Sequence, residues 1–100
     1  MALAIEQHEH YIGNGRWNWS VWLGGTSEEL DSVDHVMYVL DRTFHNPVRT
    51  VNDRSSNFRL EDATWGAFKL YAKVSHKDGR ELDLEHDLVL LSPDSTPTVA

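Results

Sequence analysis

Six histidines, 16 carboxylates and four tryptophans are the side chains of this 100-residue sequence whose types could do chemistry. His8 and His10 stand at i,i+2 beside Glu9. On a strand they would point the same way and could hold a cation loosely. No anchored third ligand follows at a metal-site spacing, so the pair does not by itself make a site. His35 and His86 fall in segments rich in strand formers, where a hydrogen-bonded structural histidine is the commoner case. Serine, histidine and aspartate are all present, but no Gly-x-Ser-x-Gly elbow exists to present a nucleophile. Gly24-Gly25 lacks the lysine and helix of a phosphate loop. There is no cysteine, which excludes thiol catalysis, disulfides and cysteine-based metal sites. No motif calls for a cofactor, and the sequence reads as a binding protein rather than an enzyme.

The remaining chemistry is aromatic. Phe44 precedes His45-Asn46-Pro47, and Trp65 sits in Thr64-Trp65-Gly66-Ala67-Phe68. A tryptophan beside glycine at a loop apex exposes apolar surface unless it contacts something. If the two loops meet at one end of the fold, Phe44 and Trp65 would face each other across a slot. Parallel rings separated by about 7 Å, two stacking distances, would admit one planar group. The alternative is that both rings simply cap the core.

The elements that must position these rings read as strands. Trp17, Trp19, Val21 and Leu23 share one face over residues 16–23, and Phe68, Leu70, Ala72 and Val74 share one over 68–74. Residues 33–40 are apolar on both faces toward their end, as in a central strand. Short strands are expected at 48–51 and 58–60, with a loop at 61–67. Asp78-Gly79 predicts a type I′ hairpin turn, with a returning strand over 81–91. Residues 28–32 are too short a run to predict a helix. No long segment of period 3.6 appears. The sequence therefore predicts an all-β, immunoglobulin-like antiparallel β-sandwich over residues 16–91. Residues 1–15 are expected to be a flexible lead-in, with Gly13-Asn14-Gly15 as a turn, and 92–100 a linker or frayed tail.

Composition narrows the partners. With 16 acidic and nine basic residues the formal charge is −7, and the basic residues are scattered. Phosphate backbones require clustered cations, so nucleic acid is not an expected partner. A basic peptide would be steered toward such a surface. No run of 18 apolar residues is present to span a membrane. The first five residues are too short for a secretory h-region and lack a basic flank. A cytoplasmic location is expected.

Several motifs in order carry a family resemblance. They are Trp19-x-Val21-x-Leu23; His35-Val36-x-Tyr38-Val39-Leu40-x-x-Thr43-Phe44-x-Asn46-Pro47-Val48-Arg49-x-Val51; Trp65-Gly66-x-Phe68; and Leu84-x-His86-Asp87-Leu88-x-Leu90. Over about three quarters of its length the sequence resembles a YEATS domain, and the Thr-Phe-x-x-Pro and Trp-Gly-x-Phe pieces look like the prokaryotic branch. The resemblance implies a reader of acylated lysine, working as a module of a larger protein. It implies that Phe44 and Trp65 wall the slot, that Thr43 supplies a hydroxyl, and that the Trp65 backbone N–H meets the acyl carbonyl. Gly66 would keep the loop slim and Phe68 would back the slot. The sequence departs from many eukaryotic members in having Asp41 where they have a histidine and Thr64 where a smaller residue is common. Asp41 would alter the charge beside the slot. A second possibility is a scaffold domain with no acyl-lysine pocket, acting through a sheet edge by strand addition.

Overall fold

The computed structural model describes residues 3–90. Its strands are β1 (Ala4–Gly13), β2 (Arg16–Gly24), β3 (Val33–Val39), β4 (Val48–Val51), β5 (Leu60–Thr64), β6 (Lys69–His76) and β7 (Glu81–Asp87), with a one-turn helix α1 (Ser27–Asp31) between β2 and β3. They form two antiparallel sheets, in the orders β1-β2-β5 and β4-β3-β6-β7. Alternation builds the core between them. Trp19, Val21 and Leu23 of β2 are buried, as are Leu70, Ala72 and Val74 of β6. On β3 the buried set shifts from Val33 to Val36 and Tyr38, because a register irregularity intervenes between Val33 and His35. Burying each valine or leucine among them contributes about 1.5–3 kcal/mol. The Tyr38 hydroxyl donates to the Phe58 carbonyl at 2.7 Å inside the core, and burial pushes its pKa up.

Four expectations are corrected. The expected lead-in over 1–15 is, in its described part, a strand: Ala4–Gly13 pairs with β2 along its length. Asn14 and Gly15 both take positive φ, 57° and 72°, which is what a two-residue type I′ hairpin requires. The strand was hidden because Gln7, Glu9 and Tyr11 follow Ile5 on its inward side, where apolar residues are the usual signal. Gln7 is tolerated there because its amide is satisfied across the sandwich. Its Oε1 accepts from His86 Nε2 at 2.6 Å and from the Val89 N–H at 3.1 Å, and its Nε2 donates to the Val89 carbonyl at 2.7 Å. Second, the expected strand at 58–60 lies further on, at Leu60–Thr64, within the segment read as a loop. Phe58 itself has φ 61° and is fully buried.

Third, the β6–β7 turn is not type I′. Within residues 77–79 only Gly79 has positive φ, 92°, and its N–H donates to the His76 carbonyl at 3.0 Å. That is a three-residue loop whose glycine takes the left-handed position. Fourth, β7 ends at Asp87 rather than 91. Ser27–Asp31 adds a helix turn that its length did not suggest. Thr26 and Glu29 cap it reciprocally: the Thr26 hydroxyl accepts from the Glu29 N–H, and the Glu29 carboxylate accepts from the Thr26 N–H. The expected tail at 92–100 lies outside the described residues.

Candidate functional site

The two aromatic loops leave the sandwich at the same end. β3 ends at Val39, which pairs with Tyr71 near the start of β6, so the chain leaving β3 and the chain entering β6 run side by side. Asp41, Thr43 and Phe44 from the first, and Trp65, Gly66 and Phe68 from the second, line one open depression of about 320 Å³. The structure thus gathers all six residues singled out by sequence. Thr64 and Ala67 complete the lining.

The two rings are held in different ways. Phe44 is half-buried and packs on Phe68, with ring centroids 5.0 Å apart and planes at 55°. Trp19 closes the cluster from the core, edge-on to Phe68 at 5.8 Å and to Phe44 at 6.3 Å. Trp65 is 68% exposed. Its ring partner is the Arg16 guanidinium, 4.8 Å from the ring centroid. Phe44 and Trp65 both line the depression, with Phe44 tilted onto Phe68 as part of the core's edge.

Each loop is shaped by a threonine. Asp41 Oδ1 accepts from both the Thr43 backbone N–H at 3.0 Å and the Thr43 hydroxyl at 2.8 Å. Those bonds, backbone first, hold the fully exposed Asp41 carboxyl below its ordinary pKa, with the neighbouring Arg42 charge adding to the effect. In the other loop the Thr64 hydroxyl donates to the Gly66 carbonyl at 3.1 Å, folding Trp65 into a local turn. A Cβ on Gly66 would meet no protein atom within 4 Å, so the protein's own packing does not demand glycine there.

Arg49 braces the arrangement, a role sequence reasoning did not assign. Its guanidinium donates to the His45 carbonyl at 2.8 Å and to that of Asn46, and pairs with Asp62 of β5 at 3.0 Å. One side chain thereby ties the Phe44 loop to the strand that leads into Trp65. Its signal was an arginine two residues past the proline, with a partner 13 positions on that spacing alone does not reveal. Among the described residues no group of three histidines, aspartates or glutamates is placed to hold a metal ion. His8 and His10 instead lie on the far side of the β1-β2-β5 sheet, lining a separate groove with Ser20 and Glu61.

A sequence profile of the prokaryotic YEATS domain matches residues 17–89. The chain belongs to the prokaryotic YEATS family. Solved structures share its fold. The Yaf9 YEATS domain bound to H3K27ac superposes with a TM-score of 0.69 at 21% identity, over 89% of this chain and 69% of the other. The Yaf9 YEATS domain recognizing an H3K122suc peptide gives 0.65 at 22%, over 88% and 68%. Yaf9 described as the yeast AF-9 homolog gives 0.69 at 22%, over 89% and 65%. At these identities the likeness is one of fold, and it places this YEATS domain among immunoglobulin-like β-sandwiches. No curated protein matches the sequence.

Proposed function

We propose that this YEATS domain is a non-catalytic peptide-binding module that takes an acylated lysine into the slot between Phe44 and Trp65. The observation that carries the reading is the convergence of two aromatic side chains and a hydroxyl, from two loops, on one depression. The solved Yaf9 domains, described with H3K27ac and H3K122suc peptides, support the same ligand class.

The chemistry follows from the hydrogen bonds. A planar secondary amide stacks on aromatic faces, but its N–H and carbonyl each need a partner once water is displaced. Thr43 has one hydroxyl proton, and it goes to Asp41. Its oxygen therefore faces the ligand as an acceptor, suited to the amide N–H. The Trp65 backbone N–H is the donor for the acyl carbonyl. An unmodified ammonium would give up its hydration between two apolar rings. A pairing with the exposed Asp41 would return only about 0–1 kcal/mol.

Calorimetric titration with acetyl-, crotonyl- and unmodified-lysine peptides tests the reading. The expected outcome is binding of the acylated peptides in preference to the unmodified one. Failure of both acylated peptides to bind at millimolar concentration rejects acyl-lysine recognition. Binding that survives Trp65→Ala unchanged places recognition elsewhere, such as at a sheet edge.

A further inference from the structure

We propose that Asp41 makes this slot select neutral acyl chains and reject those ending in a carboxylate, an inference that rests on the acyl-lysine reading above. Asp41 is the only ionisable side chain among the residues that line the slot; the others are threonine, aromatic, glycine or alanine. No lysine, arginine or histidine shares the lining, so a carboxylate carried in on the ligand would meet a fixed negative charge and no cation within that lining.

The nearby cations lie outside the lining of the slot. Arg16 stacks on Trp65 and is not part of the lining. Arg49 is paired with Asp62 and with the His45 and Asn46 carbonyls. Arg42 is next to Asp41 in the chain but makes no ion pair with it among the described residues. Asp41 itself is oriented, since Thr43 holds Oδ1 through two bonds. The charge is therefore fixed in position as well as in sign.

Two penalties act on an anionic acyl group. It loses hydration on entering an aromatic slot without gaining a hydrogen-bonded cation. It also approaches a like charge, whose repulsion at a partly solvated site is modest and falls with salt. A neutral chain of the same length suffers neither, and gains from apolar contact with Phe44, Phe68 and Trp65.

The test compares butyryl-lysine and succinyl-lysine peptides of one sequence, which share a four-carbon acyl chain and differ in the terminal group. Titrations at pH 7 with the wild type and with Asp41→Asn separate the terms. Asparagine keeps the Oδ1 acceptor for both Thr43 bonds while removing the charge, and an unchanged melting temperature verifies that the loop is retained. In the wild type, butyryl-lysine is expected to bind at least tenfold more tightly than succinyl-lysine. In Asp41→Asn the gap narrows about fivefold, by gain of succinyl affinity, and in the wild type it narrows as salt is raised. Equal affinities in the wild type, or a gap that Asp41→Asn leaves unchanged, overturns the inference while leaving acyl-lysine recognition standing. If no acylated peptide binds either protein, the underlying functional reading fails and the inference falls with it.

Discussion

The two walls of the slot are built on opposite plans. Phe44 is an extension of the core: half-buried, tilted onto Phe68 and touched edge-on by Trp19. Trp65 stands 68% exposed on a four-residue connection between β5 and β6, with one cation against its ring. One wall is positioned by the same packing that holds the sandwich together, and the other by a threonine turn and a guanidinium. Fixing a residue's backbone costs about 1–2 kcal/mol of conformational entropy. A ring already ordered by the core brings no such further cost to binding, whereas an exposed one contributes to affinity what it does not contribute to folding. The pair therefore divides rigidity and ligand contact between two loops.

That division predicts unequal mutants. Phe44→Ala should have the largest effect, because it removes a ring from a three-ring cluster as well as a wall. A stability loss of about 2 kcal/mol is expected, below the 3–5 typical of a fully buried phenylalanine, together with loss of acyl-peptide binding. Chemical denaturation and calorimetry on the same protein measure both. Trp65→Ala should separate the two quantities: affinity falls by about 1–3 kcal/mol, while stability stays within about 0.5 kcal/mol of wild type. If Trp65→Ala unfolds the domain, or Phe44→Ala leaves stability intact, the division between the walls is wrong.

The sequence made the two slot walls legible because Phe44 and Trp65 each carry a local contradiction, a large apolar ring in a segment that otherwise reads as polar loop, whereas Asp41, Thr43, Gly66 and Phe68 followed from the family resemblance. The same logic failed where a local contradiction marked a strand instead. The inward side of β1 presents Gln7 and Glu9, and no periodicity rule finds a buried face built from amides and carboxylates. Only the partners, His86 and the Val89 backbone 79 and 82 positions away, explain it. Asn14-Gly15, expected only as a turn after a flexible lead-in, forms the type I′ hairpin that was expected at Asp78-Gly79. The span of β5 was missed for a related reason. Glu61 and Asp62 suggest a loop, but Asp62 is held by Arg49 of the neighbouring sheet. Side-chain pairing across the sandwich was the information that sequence spacing did not contain.

A gentler probe acts on the threonine beside the core-anchored wall. Thr43→Val keeps the side-chain shape, removes the acceptor for the ligand amide and releases Asp41 from one of its two bonds. The expected loss of affinity is about 1 kcal/mol, the worth of one hydrogen bond whose partner water can in part replace. Stability should change less, since both ends of the Thr43–Asp41 contact are exposed. A loss as large as that of Trp65→Ala would mean that Thr43 positions Phe44 rather than meeting the ligand.

The smallest expected effect contrasts the slot with the β1–β7 edge of the sandwich through pH. Burial holds the His86 pKa below its ordinary 6.5. The unfolded chain then binds a proton more readily than the folded one, so this group's contribution to stability is full above pH 6.5 and is lost as pH falls through that value toward the folded pKa. Asp41 also has a lowered pKa, but as a carboxyl whose ordinary value is 3.8. Its stabilising contacts persist above that value and are lost only as pH falls through the lower folded pKa. Between about pH 6.5 and 4 the β1–β7 edge should therefore weaken while the Thr43–Asp41 turn keeps its charge. His86→Gln should retain a donor for Gln7 and remove the titration. Melting temperatures across this range should decline more steeply for wild type than for His86→Gln, while acyl-peptide affinity at pH 5 stays near its value at pH 7 in both. Parallel melting curves would show that Gln7–His86 does not sense protons, and an affinity that falls with the wild-type melting temperature would show that the slot is not insulated from that edge.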